Sequence, residues 1–226
     1  MRRPTRILVI DVGGTHVKAL VSGKRTPQKI DSGPSLTPRR MMTALKPLLA
    51  EWKYDLVTIG YPGPVVGGRI TAEPKNLGSG WVGFDFKKAF GRPVKVVNDA
   101  AMQALGCYQG GRMLFLGLGT GLGSAMVFDG QLEPMELAHL PYRKGRSFED
   151  YVGLRGLERL GKAKWRKHVA DVVARLQAAL LPQEVVLGGG NAKKLDGLPP
   201  HARLGSNANA FAGGFRLWKD AKDRAN

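Results

Sequence analysis

Several short stretches of this sequence carry residues that can do chemistry together. Asp11 closes the apolar run Ile7–Ile10 and is followed by Gly13, Gly14 and Thr15, with Lys18 just beyond. A carboxylate there can hold a metal's water or orient a phosphate. Glycines let backbone N–H groups approach an anion closely, and the Thr15 hydroxyl and Lys18 ammonium add a donor and a charge. A second glycine loop, with Gly119, Thr120 and Gly121, interrupts the apolar stretch Leu114–Val127. Either loop alone also reads as a plain β-turn without a ligand. Asp99 follows Val94–Val97 at the end of a predicted strand and the start of a predicted helix. That position suits a general base, and it equally suits a helix N-cap. Glu136 and His139 are three residues apart, so they share a face or converge in a loop, or else they are a surface Glu and a core His. Asn76 lies in an irregular stretch, where its amide can bond a sugar hydroxyl or close an Asx-turn. Gly188, Gly189 and Gly190 end another apolar run.

These residues need a scaffold that presents strand ends. The stretches 6–21 and 114–127 both read as strand, glycine turn, strand. The echo suggests two units facing each other across a phosphate chain. Thr37-Pro38 predicts an N-cap and first-turn proline for a helix over 39–52. Strands are expected over 55–60, 92–97 and 184–188. Helices are expected over 84–90, from Asp99 to about 109, over 165–181 and over 208–218, with a frayed tail over 219–226. Asp129-Gly130 marks a two-residue hairpin. Strands alternating with helices argue for an α/β fold with ligands at the strands' carboxyl ends. No G-x-x-x-x-G-K-[ST] and no G-x-G-x-x-G occurs, so neither a Walker A loop nor a dinucleotide fingerprint is present.

Composition narrows the partners. The 226 residues are 43% hydrophobic, enough for one large or two small cores. One cysteine, Cys107, excludes an internal disulfide framework or a multi-cysteine zinc site and is compatible with a reducing, cytoplasmic location. No apolar run reaches membrane-span length, and Ile7–Ile10 is too short for a signal-peptide core. The net charge of +17 favours polyanions such as nucleic acid, an acidic membrane surface or a phosphate polymer, unless it serves only solubility. Residues 142–168 are the densest basic region, reading as a solvated face or as the bed of a polyanion.

Taken in order, the motifs resemble those of the ROK sugar kinases of the hexokinase–actin superfamily, with the best likeness to the polyphosphate glucokinase branch. Asp11–Thr15 resembles the first phosphate motif and Leu116–Gly123 the second. Val97–Ala100 resembles the motif with the catalytic Asp, Glu136–His139 the Glu-x-Gly-His motif with Ala138 in place of Gly, and Val186–Gly190 the adenosine motif. Glu149 sits where the family has a further sugar-binding Glu. The resemblance covers about residues 6–218. It implies a two-lobed actin-like ATPase (hexokinase, ribonuclease H-like) fold. The expected small lobe spans 1–98, joined by a C-terminal helix at about 207–226, and the larger lobe spans 99–206, with the active site between them. It further implies Asp99 as catalytic base, and Asn76, Asn98, Asp99, Glu136, His139 and Glu149 on the sugar. Asp11, Gly13, Gly14, Thr15, Lys18, Gly119, Thr120 and Gly121 would hold phosphate, Gly188–Gly190 a nucleotide, and Asp11 would bind Mg²⁺, directly or through water. The implied substrates are glucose or a similar hexose with polyphosphate or ATP as donor, and the implied assembly is a homodimer with no specific nucleic acid and no membrane. Most ROK members carry clustered zinc-binding cysteines after the His. Pro141–Ser147 has none, so no zinc site is expected and His139 becomes a sugar contact. The rival readings are an ATP-dependent kinase for another hexose or amino sugar, a non-catalytic sugar-binding regulator, and an inactive kinase fold. The regulator would need a helix-turn-helix segment ahead of the first strand, for which no room is expected.

Overall fold

The computed structural model describes residues 4–206 and 208–219. The expected tail over 219–226 lies almost wholly outside them. The chain runs β1 (Ile7–Val12), β2 (His16–Val21), β3 (Gln28–Asp31), α1 (Pro38–Leu49), β4 (Leu56–Tyr61), β5 (Val65–Val66), β6 (Arg69–Ile70), α2 (Phe86–Phe90), β7 (Val94–Asn98) and α3 (Asp99–Cys107). It continues through β8 (Arg112–Leu118), β9 (Leu122–Phe128), β10 (Gln131–Met135), β11 (Pro141–Arg143), β12 (Arg146–Ser147), α4 (Phe148–Val152), α5 (Leu154–Leu180), β13 (Glu184–Gly188), β14 (Ala202–Leu204) and α6 (Asn209–Arg216).

Two five-stranded sheets, ordered β3-β2-β1-β4-β7 and β10-β9-β8-β13-β14, form the frame. Both glycine units are antiparallel hairpins, β1 with β2 and β8 with β9. The next strand inward runs parallel in each case, β4 beside β1 and β13 beside β8. The central strands are apolar on both faces, as strands covered on both sides must be. Met41, Leu45 and Leu49 of α1 pack with Leu8, Ile10 and Ile59 on one sheet. Trp165, Val169, Val172 and Val173 of α5 pack with Leu114, Leu116 and Leu187 on the other.

Local chemistry starts the helices where the sequence indicates. Thr37 caps α1 by accepting from the Arg40 N–H at 3.2 Å, with Pro38 in the first turn. At α3 the cap is Asn98, whose side chain accepts from the Ala101 N–H at 3.1 Å. This displaces the N-cap reading of Asp99, which is the first helical residue. The helix expected over 165–181 belongs to a longer element, α5, broken at Gly161 by a left-handed φ of 73° that glycine tolerates without strain.

Helix α3 lies between the sheets. Ala104 and Leu105 meet Phe115, Ala125 and Val127 of the second sheet, while Met102 meets Val9 of the first and Phe211 of α6. The crossing of α3 and α6 depends on two glycines. A methyl on Gly106 would overlap the Asn209 carbonyl, and one on Gly213 the Met102 carbonyl. The buried Thr58 hydroxyl donates to the Gly214 carbonyl at 2.8 Å and accepts from Trp218 Nε1 at 2.9 Å, fastening the C-terminal segment to β4. Asp99 therefore starts a helix held from both sides.

Candidate active site

The parallel strands β1, β4 and β7 end side by side, with Asp11 opposite Gly60 and Tyr61 opposite Asn98. Asp11 and Asp99 thus flank the end of β4. Gly60 lies between them and leaves room for Met102 of α3, whose thioether end a Cβ there would strike. Burial raises the Asp99 carboxyl to about 7, and the negative charges of Asp11 and Glu136 push the same way. The Ala100 N–H, donating to Oδ1 at 2.7 Å, pulls the other way. Burial likewise raises Asp11, against the pull of Lys18 directly across the β1–β2 pair. A carboxyl that titrates near neutrality at a strand end is suited to take and return a proton.

The first glycine turn closes with the Gly13 N–H donating to the His16 carbonyl at 3.0 Å and Ser32 Oγ donating to the Gly13 carbonyl at 2.6 Å. Gly14 and Thr15 are exposed. Asn76 comes to this turn, since a Cβ on Gly14 would lie 3.9 Å from its Cβ. Its side chain makes no hydrogen bond within the described chain, so the Asx-turn reading does not hold. Asn98 is different. Besides capping α3, it donates from Nδ2 to the Gly63 carbonyl at 3.1 Å, leaving one N–H and one lone pair for a ligand.

The second turn is buttressed from the protein side. Asn191 Nδ2 donates to the Gly119 carbonyl at 2.9 Å, the Leu154 N–H donates to the Thr120 carbonyl at 3.1 Å, and the Gly119 N–H bonds the Gly121 carbonyl. Glu149 lies against Gly121 and accepts from the Leu122 N–H at 3.2 Å. Gly123 of β9 packs on Ala100, linking this hairpin to the first turn of the Asp99 helix. Gly188 and Gly189 have packing reasons of their own: methyls there would strike the Phe115 ring and the Leu118 backbone. Only Gly190 opens to space.

Glu136 and His139 are on one exposed segment, with His139 Nε2 3.9 Å from the Glu136 carboxylate and side chains 65% and 59% exposed respectively. The core-His reading of His139 therefore does not hold. Ser124 sets this segment by donating to the Met135 carbonyl and accepting from the Leu137 N–H, at 2.8 and 3.1 Å. Sequence reasoning missed Ser124 and Asn191. Asn191 is a buried polar residue directly after a glycine run, which was the available signal; Ser124 carried none.

Asp11 also fits a divalent cation. It is a desolvated carboxylate beside a second one, with Lys18 lowering its pKa only in part. Among the described residues no cluster of three or more His, Cys, Asp or Glu forms a protein cage for a metal. Mg²⁺ suits such a site, because it is commonly held by one or two carboxylates with phosphate and water completing its shell.

The chain is similar to several known proteins in sequence and in fold. The sequence model of the ROK family matches residues 7–134. A polyphosphate glucokinase of Mycobacterium tuberculosis (strain CDC 1551 / Oshkosh) is 30% identical over 210 residues, covering 83% of this chain and 78% of its own. The inorganic polyphosphate/ATP-glucomannokinase of Arthrobacter sp. strain KM superposes with a TM-score of 0.79 at 24% identity, over 98% of this chain and 99% of that one. A ROK family glucokinase from Streptomyces griseus, solved with glucose and AMPPNP, gives a TM-score of 0.72 at 18% identity, over 94% and 98% of the two chains. The shared architecture is the two-lobed actin-like fold of sugar kinases. With the family match spanning more than half of its length and a 30% identical relative covered over 78% of its own, the chain belongs to the ROK family.

Proposed function

We propose that this hexose kinase transfers a phosphoryl group from polyphosphate or ATP to the 6-hydroxyl of glucose, with Asp99 as general base. The observation that carries the reading is the placement of Asp99 at the end of β7, across the end of β4 from Asp11 and with the second glycine hairpin packed on its helix at Ala100, in surroundings whose burial raises its carboxyl. Asp99 accepts the hydroxyl proton as the sugar oxygen bonds to phosphorus and the bond to the donor's bridging oxygen breaks. The donor leaves one phosphate shorter. Base assistance of this kind is worth ~10²–10⁴-fold. Asn76, Glu136, His139 and Glu149, with the free valences of Asn98, hydrogen-bond the other hydroxyls. A wrong epimer then leaves some of these groups unpaired. The N–H groups of Gly14, Thr15, Thr120 and Gly121, with the Thr15 and Thr120 hydroxyls, cradle the transferring group, while Gly13 and Gly119, whose own N–H groups are bonded within their turns, shape the cradle's backbone. Lys18 supports Asp11. Mg²⁺ bound at Asp11 would offset charge on the phosphate oxygens. We place the lobe boundary at residue 98, with α6 completing the first lobe.

Long polyphosphate is proposed to lie along the basic stretch from Arg143 to Lys167. Several cations there are already engaged: Arg143 with Asp171, Arg159 with the Asp150 carbonyl, and Arg166 with Asp196 and the Lys194 carbonyl. The exposed Lys144, Arg146, Arg155, Lys162, Lys164 and Lys167 form no ion pair among the described residues and are the proposed track. Gly188–Gly190 is the proposed nucleotide contact when ATP is the donor, with Gly190 as its open member. A homodimer is the proposed assembly.

The test is glucose 6-phosphate formation with Mg²⁺, comparing purified polyphosphate with ATP. Turnover with polyphosphate is the expected result. Turnover with ATP alone would reduce the basic stretch to a solubility feature. Turnover with neither, but with another hexose, would retain Asp99 and replace the sugar.

A further inference from the structure

Away from the reacting groups, one buttressed cluster has no role in the chemistry described above. Tyr142 Oη donates to Asp171 Oδ2 at 2.6 Å and accepts from the Nδ1–H of His168 at 2.9 Å, the tautomer that satisfies both partners. The Tyr142 ring meets Phe148, Tyr151 and His168 edge-on, with centroids 5.5, 4.9 and 5.6 Å away. Tyr151 also packs on His168 at 4.7 Å. Arg143 and Arg175 both donate to the same Asp171 oxygen at 3.1 Å, and each guanidinium stacks over the Tyr142 ring. Asp171 stays ionised, because the Tyr142 hydroxyl and the two guanidinium groups hold its carboxyl below the usual range.

The cluster's position gives it consequence. Tyr142 is on β11, the first arm of a small hairpin in which Pro141 pairs with Ser147. His139 enters that hairpin and Glu149 leaves it, with the Phe148 N–H bonded to the Leu140 carbonyl at 3.0 Å between them. His168 and Asp171 are on α5, whose Val169, Val172 and Val173 are fixed in the core of the second lobe. A two-by-three-residue hairpin has little independent stability, so its attachment to α5 decides where His139 and Glu149 stand.

We propose that Tyr142, His168 and Asp171 are positioning residues for the sugar pocket: the hydroxyl-centred bridge pins the β11–β12 hairpin to α5 and so sets His139 and Glu149 at one spacing for the hexose. The inference rests on the reading of those two residues as sugar contacts. It adds that sugar affinity depends on a group that touches no substrate.

Tyr142→Phe keeps the ring contacts and removes only the bridge. The expected result is a rise of about tenfold in the KM for glucose, since small misplacements of binding groups are costly, with kcat and the donor KM within about twofold. Asp171→Ala should act alike, and the double variant should be no worse than either single one, because all remove the same link. Asp171→Asn, which retains an acceptor for the hydroxyl, should recover most of the wild-type KM. Hydrogen exchange of the full-length protein without substrate gives a second readout: backbone amides over 137–149 should exchange faster in Tyr142→Phe, while those of α5 beyond residue 172 should not. A glucose KM unchanged in Tyr142→Phe, or glucose and donor KM rising equally, would overturn the proposal. So would unchanged exchange over 137–149. If the wild type phosphorylates no hexose, the kinase reading has failed, and the positioning claim is decided by the exchange comparison alone.

Discussion

The two glycine hairpins look alike in sequence and do different things in space. The β1–β2 turn is loaded with charge: Asp11 at its entrance, Lys18 across the pair, and exposed Gly14 and Thr15 at its tip. The β8–β9 turn carries no charged residue but is held by Asn191, Leu154 and Glu149 from three other elements. The first places charge at a strand end; the second offers a fixed backbone. In the proposed reaction the transferring phosphoryl group would gain from both, because charge placement and rigid donors are separate requirements of transition-state stabilisation.

Substitutions at the charged side should have the largest effects. Asp99→Asn should lower kcat by about 10²–10⁴-fold with the sugar KM little changed, as initial rates would show. It should also stabilise the protein at alkaline pH. The folded-state pKa of Asp99 is raised to about 7, so the wild type loses stability as pH rises from the ordinary carboxylate range through 7. Thermal melts should therefore find the variant ahead at pH 8 and level with wild type near pH 4. Equal melting at both would show that Asp99 is not desolvated as its surroundings imply.

Asp11→Asn is next, with a loss of about 10²-fold in kcat and a higher Mg²⁺ requirement. Because the Asp11 charge raises the Asp99 pKa, its removal lets Asp99 ionise more readily. The acid limb of the pH–rate profile should move to lower pH. A shift to higher pH would contradict the proximity of the two carboxylates.

The second turn offers a sharper pair. A Cβ on Gly119 meets nothing within 4 Å, whereas one on Gly121 would overlap the Glu149 carboxylate. Gly119→Ala should keep its melting temperature, within about 0.5 kcal/mol of stability, yet lose activity about tenfold if phosphate approaches that backbone. Gly121→Ala should lose about 1–3 kcal/mol of stability and raise the sugar KM by displacing Glu149. Full activity in Gly119→Ala would remove that glycine from the phosphate cradle.

The smallest effect belongs to the surface. Reversing Lys162, Lys164 and Lys167 to Glu should raise the KM for long polyphosphate a few-fold, increasingly so at low salt, and leave the ATP KM unchanged. An equal change for both donors would move the polymer elsewhere.

Much of the scaffold was legible because it rests on local rules. Thr37-Pro38 announced α1, apolar runs ending in glycine announced the central strands, and Asp129-Gly130 announced the β9–β10 turn. Asp99 stood out at a strand end, but its rival role as a cap was settled only when Asn98 took that cap. Helix α5 was underestimated because polar residues around Gly161 blur the apolar period of its first two turns. The Tyr142–His168–Asp171 bridge had no signal at all, since its members are 26 and 29 residues apart and ordinary as types.

The sequence by itself determined which residues could do chemistry and which segments are strands, because residue type and apolar period act over a few neighbours. The tertiary structure decided the rest: that the Asp11 charge comes close enough to raise the buried Asp99 carboxyl, that Gly106 and Gly213 let α6 clamp the Asp99 helix, and that Asn191 and Glu149 hold the second glycine turn. Those are contacts between distant segments, and their strength depends on burial and separation, which exist only once the chain has folded.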